Sequence, residues 1–238
     1  MGQFIHGKNV VRQRLLKRLP ILRILIDVKK NPDLLALVQQ ANIPYEVTDA
    51  RSLDRYGVHH QGIVAEIEEY TTHALSTVLA GVKDVSTLIM LDGLEDPHNL
   101  GAILRTADAV GLDGVIIPKH GSVHLNATVA RVSTGAIDFV KTIVVTNLNQ
   151  SIQQLKDAGY WIYGAELSPK AKVYTDLSYP KKTVFVIGSE GKGLSRLVKE
   201  NCDELVKIPM LGHVNSLNAS VSAAVLMYEV LRQQRLPD

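Results

Sequence analysis

Three short stretches hold most of the side chains able to do chemistry. The first is Gly188-Ser189-Glu190-Gly191-Lys192-Gly193, directly after an apolar run. A glycine loop there invites a phosphate-cradle reading. The match to a P-loop fails, because Gly193 stands where Ser or Thr must follow Gly-Lys, and G-x-G-x-x-G is also absent. The glycines still permit close backbone approach or positive φ, which a plain strand-to-helix turn also uses. Glu190 is placed to receive hydrogen bonds or face a cation, or simply to serve as an acid at a helix start. The second stretch is 92–99, with His98 and Asn99 at its end and Arg105 in the helix beyond. Asn99 suits a helix N-cap. Arg105 suits an i,i+3 pair with Asp108. The third runs from Val214 to Ser220 and opens a helix rich in small residues (Ala219, Ser220, Ser222, Ala223, Ala224), with Ser216 as a plausible N-cap. Small residues let a helix press closely on a backbone, a ligand or a second subunit.

Other chemistries find no support. H-E-x-x-H, paired cysteines and a G-x-S-x-G elbow are all missing from the sequence. His59 and His60 are adjacent, so their rings diverge and do not readily chelate one ion. The single cysteine, Cys202, excludes an internal disulfide and points to a reducing cytosol. The sequons at Asn126 and Asn218 are then expected to stay unglycosylated.

The elements that must position these stretches are legible from periodicity. From Thr87 onward, short apolar runs alternate with helical patterns. Strands are expected at 87–91, 114–118, 142–146, 160–166, 183–188 and 204–210. Helices are expected at 100–110, 125–137, 149–158, 194–200 and 216–235. Continuous rather than alternating apolar runs mark a parallel sheet covered on both faces. Ligands of such sheets sit at the carboxyl ends of the strands, where all three stretches fall. Residues 1–70 read as a smaller α-β-α-β-α-β unit: helix 7–19, strand 23–28, helix 32–41, strand 45–48, helix 52–56 and strand 62–67. Residues 71–85, rich in Thr, Ala and Ser, read as a linker with a turn or two of helix. The third part, 86–238, is the larger domain.

Composition agrees with a soluble α/β protein. The 238 residues are 46% hydrophobic and 21% charged. No apolar stretch is long enough for a membrane span, and the N-terminus lacks the features of a signal peptide. The net charge of +2 hides a division. Residues 1–30 hold eight Lys/Arg and one acid, a net +7, whereas 31–70 hold two Arg and seven acids, a net −5. A basic cluster beside an acidic one suggests one side that faces a polyanion, with Lys8 and Arg12 in the basic part. A solvated helix face explains the same charges.

Taken together, LDGLEDPHNLGAILRTADAVGLDGVII (91–117), VFVIGSEGKGLS (184–195) and IPMLGHVNSLNAS (208–220) resemble the three signature motifs of the SpoU/TrmH family. These are RNA ribose 2′-O-methyltransferases of the SPOUT superfamily. FIHGKNVV (4–11) and HHQGIVA (59–65) resemble the small L30e-like substrate-binding domain that many members carry. Within the family the similarity is greatest to bacterial 23S rRNA (guanosine-2′-O-)-methyltransferases. The resemblance implies a parallel sheet whose C-terminal segment forms a deep trefoil knot, which periodicity does not show. It implies S-adenosylmethionine in a bent conformation, contacted by Gly188, Gly193, Ile208, Met210 and Leu217, with no metal. It implies a cytoplasmic homodimer with the last helix at the interface and the active site shared between subunits. The family-matched catalytic positions are Asn99, Arg105, Glu190, Ser216 and Asn218, and RNA contacts fall to Lys8, Arg12 and Arg105. The family's candidate base, Arg105, is chemically awkward because a guanidinium stays protonated. Binding the adjacent phosphate and stabilising alkoxide charge suits it better. Departures are small: Ala219 stands where many relatives carry Val, and Ser189 where Ala also occurs. The same chemistry on tRNA or another rRNA site, and a non-catalytic RNA-binding or ribosome-assembly role, are the competing readings.

Overall fold

The computed structural model describes residues 2–57, 59–81 and 83–234. In chain order the elements are β1 (Gln3–His6), α1 (Lys8–Leu16), β2 (Arg23–Ile26), α2 (Pro32–Gln40), β3 (Tyr45–Val47), α3 (Ala50–Leu53), β4 (Ile63–Ile67), α4 (Leu75–Ala80), β5 (Ser86–Asp92), α5 (Pro97–Val110) and β6 (Gly114–Pro118). They continue with α6 (Ala127–Val132), β7 (Thr142–Val145), α7 (Leu148–Asp157), β8 (Trp161–Ala165), β9 (Lys172–Val173), β10 (Lys182–Gly188), α8 (Arg196–Asn201), β11 (Glu204–Lys207) and α9 (Ala219–Gln234). None of the described helices is long and apolar enough to cross a membrane.

The chain forms two compact units, one of residues 1–71 with 125–138 and one of 72–124 with 139–238. Residues 125–138, which lie in the middle of the stretch read as the larger domain, thus cluster with the first unit. The expected helix over 125–137 is also broken. It stops at Val132, because Thr134 and Gly135 take positive φ of 57° and 92°, and a 3-10 turn over Ala136–Asp138 follows. Residues 72–85, read as linker, belong to the second unit. There His73 bridges to Ile143 and α4 buries Leu75 and Val78.

The first unit has a mixed four-stranded sheet ordered β1-β4-β2-β3. β4 runs antiparallel to both β1 and β2, and β2 runs parallel to β3. The sequence reading missed β1. Its four residues, QFIH, are too few to show a period before the helix begins. Leu25, Leu53 and Val64 make a small core on which Phe4 and Tyr56 pack, their rings 4.6 Å apart.

The second unit is a seven-stranded, all-parallel sheet ordered β7-β6-β5-β10-β8-β11-β9. Strands buried on both faces need continuous apolar sequence, and β5 and β10 supply it with Leu88, Ile89, Met90 and Leu91 beside Val184, Phe185, Val186 and Ile187. Leu88, Met90, Val184 and Val186 share one core cluster with Ile152, Leu155 and Val198 from α7 and α8. α9 packs against α5 and β10, and α5 against β6. The two-residue β9 went unread, being too short to carry a pattern.

Candidate active site

Register brings two of the three polar stretches together. Gly188 pairs with Asp92 at the carboxyl ends of β10 and β5. The loops leaving those strands therefore emerge side by side. From β5 the next two strands run outward one way, while β8 and its successors lie on the other side, so this crevice is a topological switch point. The 188–193 loop folds back on itself through Ser189 N–H to Gly193 O (3.2 Å) and Gly193 N–H to Ser189 O (2.9 Å). A Cβ on Gly188 would lie 2.2 Å from the Gly193 carbonyl carbon, so only glycine fits there. Asp92 holds the far end of the loop by accepting from the Ser195 N–H at 2.6 Å.

The third stretch closes a triangle with the other two. Asn218 Oδ1 accepts from Ser220 N–H (2.9 Å) and Ser220 Oγ–H (2.6 Å) at the start of α9. That fixes the amide, and Asn218 Nδ2 then donates to Asn99 Oδ1 (2.8 Å) and to Glu190 Oε1 (2.7 Å). Asn99 Nδ2 donates to the same Glu190 oxygen at 2.9 Å. Asn99 is buried, and Glu190 and Asn218 are exposed. Among the described residues Glu190 Oε2 has no hydrogen bond, so one carboxylate oxygen remains available.

Two cap assignments need correction. Asp96, not Asn99, caps α5 by accepting from His98 N–H, with Pro97 in the first turn. Asn99 is thereby free to bond Glu190. Asn218, not Ser216, caps α9, because the helix starts three residues later than expected.

Two cavities flank the triangle. One of about 540 Å³ is lined by Gly188, Glu190, Gly193, Ile208, Met210, Ser216, Leu217 and Asn218 among others. A second of about 520 Å³ is lined by the 92–96 loop, Asn99, Gly121 and residues 189, 190 and 192–195. Both volumes are in the range of small-ligand sites. The shared wall is the 189–193 loop, with Glu190 facing both. The sequence reading overlooked Glu166 and Leu226 in the first cavity and Asp92 in the second. Glu166, held by Lys199 at 2.5 Å, directly follows β8, so the rule of strand carboxyl ends could have found it.

Arg105 stands apart. It is exposed on α5, lines neither cavity, and forms no hydrogen bond or ion pair among the described residues, so the expected pair with Asp108 is absent. Lys8 and Arg12 both reach Asp33 across the first unit, Lys8 at 2.9 Å, which spends part of their charge internally and holds the Asp33 carboxyl below its usual range. Cys202 is half-buried, and burial pushes its thiol up to about 12, so it is inert at neutral pH. Among the described residues no cluster of three His, Cys, Asp or Glu is placed to hold a metal ion.

Residues 86–228 match the SpoU rRNA Methylase family, and residues 4–73 match the RNA 2′-O ribose methyltransferase substrate-binding family. A Staphylococcus aureus protein named for the TrmH family of tRNA/rRNA methyltransferases is 47% identical, over 97% of this chain and 96% of its own. A solved RNA 2′-O ribose methyltransferase is 28% identical with a TM-score of 0.79, covering 98% of this chain and 89% of that one. The SpoU methyltransferase AviRb of Streptomyces viridochromogenes, solved with AdoMet, is 24% identical with a TM-score of 0.83, over 97% of this chain and 90% of that one. This last likeness is one of fold.

Proposed function

The chain belongs to the SpoU rRNA methylase family, and from that premise we propose that it methylates the 2′-hydroxyl of a ribose in RNA, a guanosine of 23S rRNA, with S-adenosylmethionine as donor. The observation that carries this reading is the Asn99–Glu190–Asn218 triangle set between two cavities. Transfer between two bound molecules needs two neighbouring seats whose ligands can touch, and Ser189, Glu190, Lys192 and Gly193 border both cavities.

The first cavity suits S-adenosylmethionine. Ile208, Met210, Leu217 and Leu226 give an apolar lining for a purine ring, and Gly191, with nothing within 4 Å of where a Cβ would sit, leaves the loop backbone open to its polar edges. When bound, it supplies an electrophilic methyl group on sulfur and needs no metal. The residues of this chain have two tasks. They align the acceptor, which removes an entropic barrier. They also stabilise charge as the hydroxyl loses its proton. Asn99 and Asn218 hold Glu190 in one orientation and leave its second oxygen free toward the ribose. Ser216, exposed at the first cavity and without a hydrogen bond among the described residues, is available to it as well. Proton removal falls to phosphate or water. Arg105 lines neither cavity of its own chain, so in this reading it serves the site of a second copy, binding the phosphate beside the target ribose. A homodimer through α9 supports that arrangement, since Val221 and Tyr228 leave an exposed apolar stripe there. The C-terminal segment is read as the family's trefoil knot, and residues 1–70 as its L30e-like RNA-binding domain.

Calorimetric titration with S-adenosylmethionine, followed by mapping of 2′-O-methyl groups on 23S rRNA, tests the reading. Micromolar binding and one methylated guanosine are expected. No binding would favour a non-catalytic RNA-binding role. Arg105→Ala should abolish transfer with fold and dimer intact, and near-normal turnover would remove Arg105 from the mechanism.

A further inference from the structure

We propose that the second cavity seats the target nucleoside and that Glu95 reads its base as guanine; this rests on the 2′-O-methylation reading above. The cavity lies across the 189–193 wall from the first and is bordered by Asn99 and Glu190. Its carboxylates are not equivalent. Asp92 already accepts from Ser195 N–H, and Asp96 caps α5 through His98 N–H. Glu95 has no hydrogen bond or ion pair among the described residues. A ligand meeting it must bring N–H groups. Among the four bases only guanine presents two adjacent donors, N1–H and N2–H, that match the two oxygens of one carboxylate. Adenine and cytosine set a ring acceptor beside their amino group, and uracil sets a carbonyl on each side of its N–H. Each would bring a lone pair against the carboxylate.

The 119–124 loop is tied to the 92–96 loop by Val123 N–H to Leu94 O (2.8 Å) and Ser122 Oγ–H to Leu94 O (3.0 Å). This brings Gly121 to the cavity, and Gly121 has nothing within 4 Å of where a Cβ would sit. Exposed Lys119 lies two residues before it, and Lys192 borders the cavity from the other loop. The unpaired Glu95 carboxylate and the Lys192 ammonium on one cavity lining suit the base and the phosphate of a nucleotide.

The test is steady-state methylation of a 23S rRNA transcript by the full-length wild type, Glu95→Gln and Glu95→Ala. The methylated nucleotide is mapped and then replaced by inosine, which lacks the N2 amino group. Both variants should raise KM about tenfold or more, the scale of one bidentate base contact, with unchanged affinity for S-adenosylmethionine. Inosine should cost the wild type a similar factor and cost Glu95→Ala little more. Lys119→Ala should weaken RNA binding and lower its salt dependence by about one counterion. Wild-type KM in Glu95→Ala, an inosine acceptor used as well as guanosine, or a target other than guanosine would overturn the proposal and leave the methylation reading standing. No methylation of any RNA by the wild type would instead bring down that reading, and this proposal with it.

Discussion

Two polar clusters in this chain each join segments more than a hundred residues apart. They differ in what lies beside them. In the first unit Arg14 Nη1 meets Asp138 Oδ1 at 2.6 Å, with side chains 8% and 7% exposed, and Arg14 Nη2 donates to Pro20 O. Arg14 Nε, Asp138 Oδ2 and the Tyr70 hydroxyl are buried and have no hydrogen-bond partner among the described residues. In the second unit the Asn99–Glu190–Asn218 triangle opens on two cavities and carries one charge rather than two. Burial raises the Asp138 carboxyl despite the guanidinium beside it, and raises the Tyr70 phenol too. A sealed ion pair that cannot satisfy all of its atoms has no room for a ligand. Its work is to hold the 125–138 segment in the first unit. The open triangle satisfies its amides and keeps one oxygen free, which is how a site is built.

The largest effect should come from breaking the sealed pair. Asp138→Ala leaves a guanidinium buried without a counter-charge, and about 3–5 kcal/mol of stability should be lost. Urea unfolding followed by a probe in the first unit measures it, and S-adenosylmethionine affinity in the second unit should be unchanged. The double change Arg14→Met with Asp138→Leu should recover most of the loss. A double variant no better than the single one would mean that the pair does more than fill space.

A smaller change in stability, with a larger one in activity, should follow at the open triangle. Asn218→Ala removes the α9 cap and should cost about 1 kcal/mol. It also releases Glu190 and Asn99, and misplacement on that scale costs about a hundredfold in turnover. Asn218→Asp separates the two roles. It keeps an oxygen for the Ser220 N–H and should stay near native stability. It has no N–H for Glu190, so turnover should remain as low as in Asn218→Ala. If Asn218→Asp keeps wild-type turnover, the triangle is only a cap.

The two clusters were also unequally legible. The three polar stretches stood out because apolar runs of a buried parallel sheet end abruptly in Gly, Asn and Asp. The sheet's alternation with helices therefore followed from pattern alone. That Asn99, Glu190 and Asn218 meet did not, since their separations reach 119 residues and only the motif resemblance set them together. The caps were misplaced because Asp96-Pro97 and Asn99 carry the same start signal three residues apart, and a tertiary bond claims the second. The Arg14–Asp138 pair gave no signal at all. Asp138 closes a stretch whose helical pattern continues the strand–helix alternation of the larger domain although it packs in the first unit, and nothing local tells that its partner is 124 residues earlier.

The smallest effect concerns acid, and its sign separates the first unit's titrating groups. His6 is half-buried with Nδ1 unpartnered among the described residues, and its pKa is lowered by burial first and then by Arg131, His59 and His60. A depressed pKa means that the unfolded chain binds the proton more readily. The stability it confers is complete above pH 6.5 and declines as pH falls from there through the lower folded value. Asp138 runs the other way. Its raised pKa gives stability that is present below the ordinary carboxylate value and lost as pH rises through the folded one, so acidification relieves rather than adds to its burial cost. The thermal stability of the first unit should therefore fall as pH drops just below 6.5, and His6→Gln should flatten that decline. A decline that survives in His6→Gln would assign the proton to another group, and a rise in stability over the same range would show that Asp138 dominates the titration of this unit.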